Sequence, residues 1–178
     1  MSKSGLMIGD RMPGARLRAT DGNDYELEAE GAAATVIYWT CNHCPYALAW
    51  QDRLHQVARD YLERGVRVLA VNSNSDETHP ADSFDAMRER VDREGGWPTP
   101  YLHDESQQVA GAFGALTTPD VFVFDGQREL RYRGVPDGDY DDPALNADWL
   151  RAALDAIIEG RDPEPAETEP VGCGIKWK

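Results

Sequence analysis

Apolar positions along the chain follow two different periods, and the switches between them outline a βαβ unit. Ala34-Thr-Val-Ile-Tyr-Trp39 is a short apolar run rich in β-branched and aromatic residues, which predicts a buried strand. After Cys44 the apolar set Leu54, Val57, Ala58, Tyr61 and Leu62 falls at i, i+3, i+4, i+7 and i+8, the stripe of an amphipathic helix, with Gly65 as a left-handed stop. Val66-Arg-Val-Leu-Ala-Val71 then predicts a second strand, parallel to the first through a right-handed crossover. Ahead of this unit, Gly9-Asp10, Pro13, Leu17 and Asp21-Gly22 read as irregular strands with a tight turn before Tyr25 and Leu27.

Downstream the signals weaken and then recover. A polar stretch from Asn72 to Pro80 leads to a weaker helix around Phe84, Met87 and Val91, closed by Gly95-Gly96, and Trp97-Pro98-Thr99-Pro100 reads as a loop. Asp104, with Gln107 three residues on, has the look of an N-cap for a helix through Val109 and Phe113, interrupted at Thr117-Thr118-Pro119. Val121-Phe-Val-Phe124, Asp125-Gly126 and Glu129 to Arg133 predict a β-hairpin. Asn146 is the expected cap of a last helix carrying Leu150, Ala153, Leu154, Ile157 and Ile158 on one face, with Gly160 at its end. The expected organisation is one domain over residues 1–160, then a Pro- and Glu-rich solvated linker and C-terminal tail over 161–178.

Composition narrows the function classes. A chain of 178 residues, 41% hydrophobic and 28% charged, can bury a core without a disulfide scaffold. Its net charge of -14 argues against nucleic acid, whose phosphates need Lys and Arg to displace counterions, and against anionic membranes. The segment from Met1 to Asp10 lacks the apolar stretch of a secretory signal, so a cytoplasmic protein is expected. A reducing compartment makes the three cysteines reactive or metal-binding rather than structural.

Two of those cysteines sit where a buried strand ends and a helix begins, in Cys41-Asn42-His43-Cys44-Pro45. Free N-H groups at a helix start stabilise a thiolate, and a two-residue spacer lets the second sulfur fold back on the first. Cys41, partly exposed at the helix N-terminus, is the expected nucleophile and the less exposed Cys44 the resolving thiol. The helix end contributes only about 0.3–1 kcal/mol, under one pKa unit, so N-H donors and His43 are expected to supply the rest. His55, on the polar side of the first helix, and His79 and His103, in loops, read as incidental.

These motifs resemble the thioredoxin superfamily, specifically bacterial thioredoxin-like proteins related to the alkyl hydroperoxide reductase and thiol-specific antioxidant group. The resemblance rests on Gly9-Asp10 with Pro13, on Tyr38-Trp39-Thr40-Cys41-Asn42-His43-Cys44-Pro45, on Thr118-Pro119, and on a Gly172-Cys173-Gly174-Ile175-Lys176-Trp177 tail. It implies an α/β three-layer fold, a central mixed sheet flanked by helices, and a cis Pro119 beside the redox pair. Further implications are Thr40, Asn42, Pro45 and Thr118 at the substrate, no cofactor, protein or small-molecule disulfides as substrates, a thiol reductant as partner, and a monomer. Thr40 precedes Cys41 where that superfamily has Trp, and Thr35 stands where its buried acid falls, so Cys44 has no assigned proton acceptor.

The expected function is thiol-disulfide exchange and cell redox homeostasis through Cys41 and Cys44. A peroxiredoxin-like peroxidase ranks second, since its Pro-x-x-x-Thr-x-x-Cys pattern finds Ala34 and Tyr38 counting back from Cys41, and Ile37 and Cys41 from Cys44. A copper or zinc binding protein ranks third, with Cys173 and a histidine completing the ligands. The apolar Val171, Ile175 and Trp177 argue that the tail docks on the domain, either near the pair, with Cys173 as a third thiol for Cys41, or elsewhere, with Cys173 as a buried structural cysteine.

Overall fold

The computed structural model describes residues 5–178; residues 1–4 of the expected domain lie outside the described residues. Strands β1 (Arg16–Ala19) and β2 (Asp24–Glu26) form a hairpin across the Asp21-Gly22 turn. The βαβ unit follows as β3 (Ala34–Trp39), α1 (Pro45–Tyr61) and β4 (Val66–Asn72), with Gly65 at φ 81° closing the helix through a short 3-10 turn. That turn rotates Leu62 off the apolar stripe, and the side chain is 70% exposed instead of packed.

The chain continues through α2 (Phe84–Arg93), β5 (Tyr101–His103), α3 (Gln108–Phe113), β6 (Thr117–Thr118), β7 (Asp120–Asp125), β8 (Leu130–Gly134), α4 (Asp148–Ile158) and β9 (Cys173–Gly174). Seven strands form one sheet in the order β2-β1-β5-β4-β3-β7-β8, parallel across β5, β4 and β3 and antiparallel elsewhere. This is a central mixed sheet flanked by helices.

Side chains of a strand alternate between faces, so each central strand feeds two cores. Val36, Tyr38, Val68 and Ala70 meet Trp50, Leu54 and Val57 of α1 and Leu150 and Leu154 of α4. On the other face, Ile37, Trp39, Leu69 and Val71 meet Phe113 of α3, with Phe122, Phe124 and Ile175. All six residues of β3 are buried, which is why that strand reads as an unbroken apolar run.

Several local expectations change. Tyr101–His103 is a strand, because β4 and β1 offer it edges on both sides. Asp104 is not the residue that opens α3; Gln107 is, and the buried Asp104 carboxylate reaches over to accept the N-H groups of Val109 (3.4 Å) and Ala110 (2.9 Å). The helix ends at Gly114, before Thr117. Ala147, at φ 56°, rather than Asn146, precedes α4, and its N-H is held by Asp137. His55 is buried against Trp97 rather than on a polar face. The stretch from 161 to 170 is largely exposed, and it is also tied to the sheet: Ala166 accepts the N-H of Arg133 of β8, and Thr168 donates its own N-H to the Arg133 carbonyl. Among the described residues no helix is long and apolar enough to cross a membrane.

Candidate active site

Strand β3 ends at Trp39, and five residues later Cys44 is the N-cap of α1 with Pro45 inside the first turn. Pro45 suits that place because its missing N-H would have no helical partner there. Thr40 is buried and continues the ladder, donating its N-H to Val71 (2.8 Å). No side chain of the conventional kind caps α1, and its first turn carries no acid. The Cys41 sulfur fills that role: Sγ accepts the N-H of Cys44 at 3.2 Å.

Cys41, Cys44 and Cys173 all carry free thiols. Contrary to the expectation of a partly exposed nucleophile, Cys41 is as fully buried as Cys44. Thr118 lies against both, its Oγ1 3.6 Å from Cys41 Sγ and its carbonyl accepting the Cys44 thiol at 3.2 Å. The peptide bond from Thr118 to Pro119 is cis.

The hydrogen bond between the two sulfurs dominates their ionisation. With one proton held between them, the pair loses its first proton below the ordinary thiol range and its second well above it. Burial opposes both steps. Main-chain N-H groups of Cys44 and His43 point at Cys41 Sγ, and that of Ala47 at Cys44 Sγ, which also lies 3.2 Å from the Thr118 carbonyl oxygen. Main-chain donors thus reach both sulfurs, and the first ionisation belongs to the pair rather than to either thiol alone.

Residues distant in sequence fix the loop between the cysteines. The Asn42 side chain donates to the Ala81 carbonyl (2.7 Å) and accepts from Tyr101 (2.8 Å) and Arg90 (3.0 Å), so the protein itself uses its amide. Buried Arg90 of α2 also donates to the Cys41 carbonyl at 3.0 Å, binds Glu94 at 2.9 Å, and lies 4.9 Å over the Trp97 ring. His43 has its Nδ1 2.6 Å from Oδ2 of buried Asp82 and stacks on His79 at 5.2 Å. His79 is thus part of the site's surroundings, not incidental. Arg90, Asp82 and Tyr101 carry no local sequence signal for this role.

The tail reaches the same corner. Strand β9 pairs antiparallel with β6, setting Cys173 opposite Thr118 and Gly174 opposite Thr117. Cys173 shares a hydrogen bond with Cys44, rather than with Cys41, and that contact holds its thiol above the usual range. Docking rests on Ile175, which is buried, and on main-chain bonds from Ser75 and Ile175, while Val171 and Trp177 stay 39% and 48% exposed. As metal donors, Cys41, His43 and Asp82 bring one sulfur, one nitrogen and one oxygen within 4.8 Å of one another.

A family model described as AhpC/TSA family matches residues 8–133. No curated protein matches the sequence at a significant level. Among solved structures, an uncharacterized conserved protein from Geobacillus kaustophilus is 40% identical with a TM-score of 0.90, over 97% of this chain and 93% of that one. A hypothetical protein from Sinorhizobium meliloti 1021 is 33% identical with a TM-score of 0.90, over 98% and 96% of the two chains. The exposed lipoprotein thioredoxin of Streptococcus pneumoniae strain TIGR4 is 18% identical with a TM-score of 0.65, over 80% and 98%, a likeness of fold.

Proposed function

The chain belongs to the AhpC/TSA family, within the thioredoxin superfamily, and on that premise we propose that it exchanges disulfides through Cys41 and Cys44. The family makes it a thiol-redox protein; the kind of redox chemistry is our reading. The observation that carries it is the hydrogen-bonded pair of sulfurs at the start of α1, one receiving main-chain N-H donors and the other turned toward the Thr118 carbonyl.

That arrangement divides the labour of exchange. The Cys41 thiolate attacks a substrate disulfide and forms a mixed disulfide, and Cys44, already in contact, displaces the substrate sulfur. Because both thiols are buried, the substrate has to displace part of the cover formed by Tyr46 and the tail at Cys173. A peroxidase reading gains nothing from the site, since Tyr38 and Ala34 stand where its threonine and proline belong. Metal carriage is opposed by Asp82, whose oxygens already accept N-H groups from Asn42, Asn72 and Asn74.

The test is reduction of insulin disulfides with thioredoxin reductase or glutathione as donor, run beside hydrogen peroxide turnover under the same donors. We expect insulin reduction that requires both Cys41 and Cys44. Peroxide turnover without insulin reduction would assign the chain to the peroxidases.

A further inference from the structure

Exchange through Cys41 and Cys44 leaves the thiol of the Gly172-Cys173-Gly174 segment without a task, yet the fold fixes that segment from both sides. On its N-terminal side, Thr168 donates its N-H to the Arg133 carbonyl (3.0 Å), and its Oγ1 accepts the N-H of Val135 (3.0 Å). On its C-terminal side, Ile175 donates to the Leu116 carbonyl (3.1 Å). The Lys176 carbonyl accepts the N-H of Ser75 (2.7 Å) and the side-chain amide of Gln107 (2.9 Å), and the Lys176 N-H reaches Asn74 Oδ1 (2.9 Å). Between these anchors β9 lies antiparallel on β6 with Cys173 opposite Thr118, the residue that touches both sulfurs of the pair.

The three sulfurs form a series. Cys44 shares one hydrogen bond with Cys41 and another with Cys173. In thiol-disulfide exchange the attacked sulfur lies between the attacking and the leaving one, and Cys44 is the sulfur in contact with both others. Exposure changes along the same series. Cys41 and Cys44 are fully buried, whereas Cys173 is partly exposed and packs against the pair from outside. Its two neighbours are glycines with no side chain to cover it, and a Cβ at Gly174 would meet open space.

We infer that Cys173 is a third redox thiol that carries the disulfide from the buried pair to the surface: Cys44 exchanges its bond to Cys41 for one to Cys173, and a small thiol reductant acts there. The inference rests on the exchange reading for the origin of the Cys41–Cys44 disulfide, though not for the contact between Cys173 and Cys44. A reductant without this route has to reach two sulfurs that have no exposed surface, and so waits for the tail to open.

The step balances as follows. Once substrate has been reduced, Cys41 and Cys44 are joined and Cys173 is a thiol. Cys173 loses its proton and attacks the Cys44 sulfur; the Cys44–Cys173 bond forms, the Cys41–Cys44 bond breaks, and the Cys41 thiolate takes up that proton. No electrons enter or leave the protein in this exchange. A first reductant thiolate then attacks the Cys173 sulfur, forming a mixed disulfide, and Cys44 leaves as a thiolate that takes the reductant's proton. A second reductant thiolate attacks the sulfur of the first, and Cys173 leaves in the same way. Two reductant thiols are oxidised to one disulfide, and Cys41 and Cys44 are reduced to thiols.

The test follows this return half-reaction alone. Full-length protein oxidised with diamide and freed of the reagent is reduced by glutathione, and samples are quenched in acid, alkylated and peptide-mapped. A Cys44–Cys173 disulfide and glutathione on Cys173 are expected before Cys41 and Cys44 are both free. Cys173 found as a free thiol throughout, whichever other cysteine carries glutathione, overturns the inference. Cys173→Ser, its fold checked by circular dichroism, gives a second reading, because a relay and a structural cysteine predict opposite signs. Without the relay glutathione acts only on the open fraction, so reduction slows by about 10- to 100-fold, the ratio that burial of Ile175 sets. Loss of a structural cysteine loosens the tail, and an unchanged or faster reduction overturns the inference. Both readings start from protein oxidised by diamide, so a chain that leaves insulin untouched yet passes them loses the exchange reading and keeps the relay.

Discussion

Cys173 and Thr118 face each other across the antiparallel bridge between β9 and β6, and this pairing delivers the tail's thiol to Cys44. Thr118 in turn touches both sulfurs of the pair. One short strand therefore connects all three thiols, although Cys173 is 129 positions beyond Cys44 in a chain of 178.

The division between attacking and resolving thiol predicts different fates for two serine variants. Cys41→Ser should abolish insulin reduction, and Cys44→Ser should accumulate a mixed disulfide on Cys41, visible by intact mass under non-reducing conditions. A trapped adduct on Cys44 in the Cys41→Ser protein, at equal yield, would reverse the assignment.

Contact between Cys173 and Cys44 predicts the alternative disulfide. In Cys41→Ser oxidised with diamide, peptide mapping should recover a Cys44–Cys173 linkage. Recovery of both cysteines as free thiols would remove Cys173 from the redox site.

The tail should control access to the pair. Its hold combines the β6–β9 bridge with burial of Ile175, and burying such a side chain is worth roughly 1.5–3 kcal/mol, so losing it raises the open population by about 10- to 100-fold. Truncation after Pro170 should increase the iodoacetamide labelling rate of Cys41 by that order. Gly172→Val should act in the same direction, because a Cβ there collides with the Thr118 carbonyl oxygen. Unchanged labelling in both proteins would show that another element closes the site.

Arg90 holds the loop between the cysteines by a charged hydrogen bond to the Cys41 carbonyl. Arg90→Met should cost about 1.5–3 kcal/mol, which for a chain this size lowers Tm by roughly 3–12 °C. Differential scanning calorimetry measures it. A shift under one degree would mean that the loop is held without Arg90.

Burial lowers the His55 imidazole to about 4, whereas an unfolded histidine titrates near 6.5. The unfolded state then binds the extra proton between those values, so the contribution is fully present above about pH 6.5 and is lost as pH falls toward 4. Its size is on the order of 3 kcal/mol. Urea unfolding across that window should show the loss, and His55→Phe should flatten it. An equal slope in both proteins would place the acid sensitivity elsewhere.

The βαβ unit, the hairpin after Pro119 and the location of Cys41 and Cys44 at a helix start were all legible from residue order alone. Periods of 2 and 3.6, a capping position and a left-handed glycine are local properties that any stretch of ten to twenty residues displays. Docking of the tail was legible too, though of the three apolar residues that suggested it Val171 and Trp177 remain exposed, and Ile175 with its backbone bonds does the holding.

Only the tertiary structure decided which polar residues surround the sulfurs. Asp82 lies 40 positions from Asn42, and Arg90 lies 49 from Cys41, yet both bind the loop between the cysteines. Asp82 and Ser83 read in sequence as the ordinary approach to a helix, and nothing periodic marks an aspartate that will face inward. Periodicity reports which face of an element is apolar, because burial acts on every turn or every second residue. A hydrogen bond between two loops depends on where folding brings single atoms, within a few tenths of an ångström, and leaves no repeat in the chain from which to read it.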